Sequence, residues 1–111
     1  MRLLRSLLFV TLVVTTMLLA AIVGLPLLVF SRRWAGAVTR WFAGFIVGLL
    51  RPICGITVEL RGLEHLAGGP VLIAAKHQSA LETYALTHSL PDASFVLKRE
   101  IILVPLIGWY V

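Results

Sequence analysis

The sequence predicts an α/β fold in two parts. Residues 1–51 are expected to form a membrane-associated pair of helices, and residues 52–111 the start of a mostly parallel sheet with a βαβ unit. Three observations carry this prediction: long apolar runs fill the first fifty residues, the next stretch alternates apolar and polar residues, and two short apolar runs then flank a helical segment. Alternation is typical of a half-exposed strand, and a strand–helix–strand order is typical of a right-handed parallel crossover.

Composition restricts the kind of protein this chain can be. It has 111 residues, of which 59% are hydrophobic, whereas soluble domains average about 45–50% apolar residues. The net charge of +5 suits an anionic membrane surface or a phosphate-bearing ligand. Nucleic acid is the less favoured partner, because the arginines flank apolar segments. With the single Cys54 and three widely spaced histidines, the sequence predicts neither an intrachain disulfide nor a metal site.

The first predicted element is a membrane helix over the charge-free run from Ser6 to Ser31, which has 26 residues. At about 1.5 Å per residue, this helix is long enough for a hydrocarbon core of about 30 Å. A cleaved signal peptide is the alternative, but its apolar region usually has only about 7–15 residues, and no small-x-small cleavage site closes this run. Pro26 is expected to kink or end the helix.

A second helix is predicted from Trp34 to Leu50. Its charge-free part, Trp41 to Leu50, is too short to span a bilayer. Gly44 and Gly48 form a small-xxx-small pair, which lets another helix approach closely. We therefore expect two packed helices, the second lying in the membrane interface with its tryptophans and Arg40 at headgroup level. The alternative is a second buried helix of a globular core.

The distribution of arginines predicts the orientation in the membrane. Two arginines precede the first apolar run, Arg2 and Arg5, and four lie between its end and residue 51: Arg32, Arg33, Arg40 and Arg51. Because positive charge favours the cytoplasmic side, we expect an inner (cytoplasmic) membrane location with everything after Arg32 in the cytoplasm. Arg51-Pro52 is expected to end the helical region, since a residue before proline avoids the α conformation.

Three strands and one helix are predicted in the second part. Ile56 to Arg61 alternates strictly and is expected to be a half-exposed strand. Val71 to Ala75 and Ser94 to Leu97 lack alternation and are expected to be strands buried on both faces. Ala80 to Ser89 is the predicted helix, with three residues toward the sheet: Leu81, Ala85 and Leu86. His88 fits the C-terminal end of that helix and is assigned no chemistry.

His77 lies between the strand at residues 71–75 and the following helix, at the edge where open α/β sheets place ligands. Glu82 lies in the first helical turn, so its carboxylate can reach the imidazole of His77. A carboxylate on one ring nitrogen fixes the tautomer and leaves the other nitrogen as a base. The alternative is a capping box, with Ser79 as N-cap and Glu82 at the third helical position.

Lys98 and Arg99 follow the second buried strand. Because neighbouring parallel strands end at the same edge of a sheet, we expect these cations to share a crevice with His77. Cations beside a base could bind a phosphate, and the neighbouring apolar segments suit lipid. The combination predicts a site for chemistry on a phospholipid hydroxyl. A solvated charged turn is the alternative for the two cations.

Two blocks of sequence carry a resemblance to a known family. One is His77-x4-Glu82 with Ser79 between them, in the context Ala-Ala-Lys-His-Gln-Ser; the other is Phe95-Val96-Leu97-Lys98-Arg99-Glu100 with Pro105-Leu106-Ile107-Gly108-Trp109. Together they resemble the 1-acyl-glycerol-3-phosphate acyltransferases of the glycerolipid pathway, over roughly residues 71–110.

The sequence departs from the family pattern in three places. Glu82 stands where the family usually has aspartate, and Lys76 where asparagine is usual. The sequence also stops at Val111, before the family's later phosphate-binding block of glutamate, glycine, threonine and arginine. The resemblance therefore implies the N-terminal part of a longer enzyme, with an incomplete acyltransferase domain at residues 52–111.

The resemblance implies transfer of a fatty acyl group from acyl-CoA or acyl carrier protein to the sn-2 hydroxyl of lysophosphatidate, giving phosphatidate. His77 would take the hydroxyl proton, and Glu82 would orient His77 and stabilise its imidazolium. The expected substrate-binding residues are Lys98, Arg99, Ser79 and Lys76. The expected partners are a phospholipid membrane, lysophosphatidate and the thioester co-substrate, with no cofactor, metal or nucleic acid.

Two rival functions are weighed against this one. A small non-enzymatic membrane anchor or interaction protein explains the first fifty residues equally well, but not a strand–helix–strand unit with His77 and Lys98 at matching ends. A lipid hydrolase is disfavoured, because Ser79 is not in a Gly-x-Ser-x-Gly elbow. For the same reason, no covalent acyl-enzyme is expected.

Overall fold

The computed structural model describes residues 1–66, 68–90, 92–105 and 108. These residues form three α-helices and three short helical turns. The α-helices are α1 (Arg2–Phe30), α2 (Arg32–Leu49) and α3 (Leu81–Ser89). The short turns are a π-helical turn at Leu50–Cys54 and 3₁₀ turns at Leu63–Leu66 and Arg99–Leu103.

A single extended residue, Ser31, joins α1 to α2 in a helical hairpin. Its backbone N–H donates to the carbonyl oxygen of Leu27 at 3.0 Å, and its hydroxyl oxygen accepts the backbone N–H of Arg33 at 3.2 Å. Ser31 therefore closes α1 and caps α2. Pro26 lies inside α1, which continues to Phe30, so of the two alternatives predicted for Pro26, a kink or an end of the helix, the end is wrong.

The two helices of the hairpin pack side by side, which confirms the predicted pairing. The turn at Leu50–Cys54, at the far end of α2, still contacts α1. The interior is made mostly of small residues, and Ile46 is its largest fully buried side chain. Small side chains let the two backbones approach closely, as they do between membrane helices. The buried residues of the hairpin are Ala21, Ala35, Ala43, Ile46 and Leu50.

Both arms of the hairpin are long and apolar enough to cross a membrane, judged by length and composition alone. The qualifying stretches are Arg2–Leu27, with 26 residues, and Arg32–Cys54, with 23. The second stretch is longer than the ten charge-free residues from which the interfacial location was expected. Large apolar side chains also remain exposed on both helices, including Leu3, Leu4, Val29, Phe30, Trp34 and Trp41. These features support membrane association of the N-terminal part.

The second helical region does not end at Arg51-Pro52 as predicted, but continues to Cys54 through the π turn. Proline has no N–H with which to bond the carbonyl four residues earlier, and the wider turn accommodates that gap. Gly55 then ends the helix in the left-handed region, with φ of 71°. Its N–H donates to the carbonyl oxygen of Arg51 at 3.0 Å, a bond typical of a glycine C-cap.

The described residues contain no strand, so the predicted α/β fold with a parallel sheet and a βαβ unit is wrong. A strand needs a ladder of backbone bonds to a neighbouring strand. Outside the helices, the backbone hydrogen bonds between described residues all join positions close in sequence. Two side chains expected inside the sheet, Leu72 and Val96, are 93% and 99% exposed. The apolar runs are present, but in the described part of the chain they have no pairing partner.

Helix α3 packs against α2 instead of a sheet. The rings of Phe42 and Tyr84 meet edge to face, with centroids 6.0 Å apart and planes at 82°. The ring of His88 lies over Gly44, so the close approach predicted at the glycine pair occurs at Gly44, with α3 as the partner. Of the three α3 residues expected to face the sheet, Ala85 is buried and the other two are half-buried.

Candidate functional site

His77 and Glu82 are in contact at the N-terminal end of α3. Nδ1 of the His77 ring forms a hydrogen bond with Oε1 of Glu82. Because a carboxylate at Nδ1 favours the tautomer with its proton there, Nε2 is left with a free lone pair. The His77 side chain is 77% exposed, and in the described part of the chain no hydrogen bond occupies its Nε2. The ring is therefore open to a substrate.

The other oxygen of Glu82 caps the helix. Oε2 accepts the backbone N–H of Ser79 at 3.3 Å and its hydroxyl at 3.1 Å. The Ser79 hydroxyl oxygen in turn accepts the backbone N–H of Leu81 at 3.1 Å. The bond from the Ser79 N–H to Glu82 is one half of the capping box that the sequence offered as an alternative. The other half differs, because Ala80 directly precedes the helix and the Ser79 hydroxyl accepts the N–H of Leu81 instead of that of Glu82. The carboxylate of Glu82 therefore contacts both Ser79, ahead of the helix, and the ring of His77.

Several contacts stabilise the ionised form of Glu82. A hydrogen bond from the backbone of Glu82 itself is the largest cause of a lowered pKa at this carboxyl. Partial burial opposes the shift, and the hydrogen bonds to Ser79 and His77 add to it. The Glu82 side chain is 26% exposed, so it is better shielded from water than the ring it contacts. Glu82 therefore remains an anion that can balance a positive charge on His77.

The other predicted site residues do not join this cluster. Lys76 directly precedes His77 and is exposed. The ammonium of Lys98 is 3.8 Å from the carboxylate of Glu100, and Arg99 begins an exposed 3₁₀ turn. Among the described residues, no hydrogen bond or ion pair links any of these three cations to His77. The crevice at the edge of a parallel sheet, which the sequence analysis predicted for them, has no basis in this fold.

The family block at residues 105–109 is described only in part. Pro105 and Gly108 are described, while Leu106, Ile107 and Trp109 lie outside the described residues. Within the part of the chain that the structure describes, no group of three or more His, Cys, Asp or Glu side chains is placed to hold a metal ion.

The attachment of the site to the rest of the molecule was not predicted from the sequence. The inner face of α3 was expected to pack on a sheet, whereas Tyr84 and His88 meet α2 at Phe42 and Gly44. The sequence signal for this contact was Gly44. A glycine inside a helix often marks a place where another element packs closely against the helix. Gly44 was paired with the first helix, so the contact with α3 was not foreseen.

The arrangement supplies the parts of a general-base site: an open imidazole nitrogen, a carboxylate on the opposite ring nitrogen, and a helix N-terminus that holds the carboxylate. Such a site can take a proton from a hydroxyl group and hold it while a new bond forms. His65 and Glu64 form another pair, at 3.6 Å, but both are exposed and adjacent in sequence. The second pair lacks the capping contacts that fix Glu82.

Comparison with known proteins gives two relatives of the same description. The sequence is 42% identical over 84 residues to a 1-acyl-sn-glycerol-3-phosphate acyltransferase of Pseudomonas aeruginosa, covering 76% of this chain and 32% of the relative. It is 32% identical over 63 residues to a Saccharomyces cerevisiae protein of the same description, covering 56% of this chain and 21% of the relative. No family model and no solved structure matches.

The matched region includes the site. A match of 84 residues in a chain of 111 contains residues 28–84 wherever it begins, so α2, His77 and Glu82 all lie within the similarity to the Pseudomonas aeruginosa relative. The chain spans about a third of that relative's length. By sequence, the chain belongs to the 1-acyl-sn-glycerol-3-phosphate acyltransferase family.

Proposed function

We propose that this chain carries the general base of an acyltransferase that moves a fatty acyl group from an acyl thioester to the sn-2 hydroxyl of lysophosphatidate. The observation that carries the proposal is the contact between His77 and Glu82 at the start of α3. It lies in the region similar to the Pseudomonas aeruginosa acyltransferase. An anchor protein of the same composition would not need an imidazole held in this way.

The proposed reaction begins when Nε2 of His77 accepts the proton of the sn-2 hydroxyl. The resulting alkoxide oxygen forms a bond to the thioester carbonyl carbon, and the carbon–sulfur bond then breaks. The thiolate leaves and takes the proton back from the imidazolium, so the base is regenerated. Glu82 holds the ring through Nδ1 and balances the positive charge that His77 carries between these steps. General-base assistance of this kind contributes about 10²–10⁴-fold in rate.

Four polar residues are proposed to bind the substrate: Lys76, Ser79, Lys98 and Arg99. The support for Arg99 is that its guanidinium is exposed and forms no hydrogen bond or ion pair with another described residue. An unpaired guanidinium can bind a phosphate with two parallel hydrogen bonds. The ammonium of Lys98 forms an ion pair with the carboxylate of Glu100 at 3.8 Å, and both groups are exposed. An exposed ion pair is weak, so a phosphate can replace Glu100 as the partner of Lys98.

The membrane is the proposed source of the substrate. Lysophosphatidate is a lipid, and the helix that carries Glu82 packs on α2, one of the two long apolar helices. A base attached to a membrane helix can reach a lipid hydroxyl without extracting the lipid into water. We propose that the site faces the cytoplasm, where either of the two proposed thioesters, acyl-CoA or acyl carrier protein, is available.

The experiment that tests the function uses membranes containing the protein that carries this chain. Radiolabelled lysophosphatidate is supplied with palmitoyl-CoA in one reaction and palmitoyl-acyl carrier protein in another, and phosphatidate is measured. The control lipid is 2-deoxy-lysophosphatidate, which lacks the accepting hydroxyl. We expect phosphatidate from at least one donor and no acylated product from the control lipid. Absence of product with both donors would refute the proposed function.

A further inference from the structure

We propose that the contact between Gly44 and His88 is a positioning contact, which docks α3 on α2 and so sets where His77 and Glu82 stand relative to the apolar helices. The inference rests on the proposed function, because it concerns how the base of that reaction is placed. Gly44 and His88 touch no reacting atom in this account. They act through the helix that carries Glu82.

The space at Gly44 is closed by His88. A Cβ atom added at Gly44 would lie 2.5 Å from Nδ1 and 2.7 Å from Cε1 of the His88 ring, too close for either atom to stay in place. Gly48 lies one turn further along α2, and a Cβ added there would meet nothing within 4 Å. A glycine inside a helix destabilises that helix relative to alanine. At Gly44, the close approach of α3 is a physical reason for accepting that cost.

A second contact fixes the rotation of α3 on α2. Tyr84 meets Phe42 edge to face at 6.0 Å, and Tyr84 and His88 are four residues apart, so they lie on the same side of α3. Ala85, beside Tyr84, is buried. The Tyr84–Phe42 and His88–Gly44 contacts lie one helical turn apart. Together they restrict both translation of α3 along α2 and rotation of α3 about its own axis.

Displacement of α3 would move the base. Glu82 lies two residues before Tyr84, within the same helix, and its carboxylate holds the His77 ring. With nine residues, α3 is also shorter than the roughly 12–15 residues that an isolated helix needs in water. Its position therefore depends on packing, and α2 is the described element against which it packs most extensively.

The test begins with a measurement that does not depend on activity. Hydrogen–deuterium exchange of the α3 backbone amides is followed in the reconstituted protein for the wild type, Gly44→Ala, Gly48→Ala, and the double variant Gly44→Ala with His88→Ala. We expect Gly44→Ala to speed exchange about tenfold, the size of effect expected when an added methyl group has to displace a neighbouring group, here the exposed ring of His88. Gly48→Ala should match the wild type. The double variant should return toward wild-type exchange, because removal of the ring makes room for the methyl group.

The same four proteins are then assayed for acyl transfer per mole of folded enzyme. Because small displacements of a reacting group cost up to about a hundredfold in rate, we expect Gly44→Ala to lower kcat roughly tenfold or more. The pH dependence of kcat should keep its shape, since the His77–Glu82 contact is local. The double variant should recover most of the loss. If Gly44→Ala does not fold, the double variant decides. Recovery of folding and of kcat in the double variant supports the positioning contact, and failure of the double variant to recover overturns the positioning contact.

Equal effects of Gly44→Ala and Gly48→Ala, or no rescue by His88→Ala, would overturn the positioning contact. The two proposals fail in different ways. Full activity in His77→Ala would refute the proposed base, whatever the exchange data show. Unchanged exchange and kcat in Gly44→Ala, with an inactive His77→Ala, would refute only the positioning contact.

Discussion

Glu82 holds the ring of His77 with one carboxylate oxygen while the other oxygen caps the helix through Ser79. The sequence left two interpretations of Glu82 open, catalytic partner and helix cap, and the contacts of its two oxygens are compatible with both at once. Two hydrogen bonds from Ser79, one from its N–H and one from its hydroxyl, hold the Glu82 carboxylate in place. The carboxylate in turn orients the imidazole of His77. The local stability of α3 and the geometry of the proposed base are thus coupled.

Replacing Glu82 with Gln removes the negative charge of the side chain and keeps its size and its acceptor oxygen. The amide oxygen can still accept the Ser79 N–H, so we expect a loss of stability under about 1 kcal/mol, typical of a weakened cap. The negative charge that balances an imidazolium is lost, so kcat should fall by roughly a hundredfold or more. Initial acyl-transfer rates and thermal unfolding of the purified protein measure the two effects. Glu64→Gln, in the exposed pair with His65, is the matched control and should change neither. A Glu82→Gln protein that loses stability but keeps its rate would show that Glu82 is only a cap.

Stability in acid should depend on Glu82. Its pKa is lower in the folded protein than the ordinary value, chiefly because a backbone hydrogen bond stabilises the carboxylate. A lowered folded-state pKa contributes stability that is complete above the unfolded value of about 4.3 and is lost as the pH falls through the folded value. We therefore expect the melting temperature of the wild type to fall more steeply below that pH than that of Glu82→Gln. Parallel slopes for the two proteins between pH 5 and pH 3 would contradict this.

Arg99→Ala tests the proposed phosphate contact. Loss of a charge-assisted hydrogen bond costs about 1.5–3 kcal/mol, so KM for lysophosphatidate should rise about tenfold to a hundredfold while kcat changes little. Arg61→Ala is the control, because Arg61 is exposed and bound to Glu59 at 2.8 Å. A KM that rises equally in both variants would indicate a general effect of surface charge.

Orientation in the membrane is tested with protease added to sealed, intact cells. Two arginines precede the first apolar run and four lie between its end and residue 51, so we expect the chain after Arg51 to remain uncut. As a control, the same protease should cut the chain after Arg51 once the cells are made permeable. This cleavage shows that the region contains accessible protease sites. Cleavage near His77 in intact cells would reverse the proposed orientation.

The hairpin and the His77–Glu82 contact could be predicted because both depend on residues close in sequence. Apolar composition and flanking arginines indicate α1, and a carboxylate five residues after a histidine, in a first helical turn, is within reach of the ring. The helix ends were less predictable. Pro26 and Pro52 both lie within helical turns that continue past them, because one missing backbone bond does not outweigh the packing on either side.

The sheet was predicted wrongly because an apolar run specifies burial without specifying the partner. Val71 to Ala75 and Ser94 to Leu97 have the composition of buried strands, but their backbones form no ladder in the part of the chain that the structure describes. The expectation that Lys98 and Arg99 share a crevice with His77 rested on that ladder. The attachment of α3 to α2 through Gly44 depends on contacts about forty residues apart, which local sequence patterns do not reveal.

The role of His77 as the general base is tested by comparing the acyl-transfer rates of His77→Ala and His65→Ala with that of the wild type, at equal protein content in the same membranes. His65 is the matched control, because it is also an exposed histidine beside a glutamate. We expect His77→Ala to lose at least about a hundredfold in kcat, the lower bound for a general base, while remaining in the membrane fraction. His65→Ala should retain the wild-type rate. Activity of His77→Ala within tenfold of the wild type would contradict the role of His77 as the base.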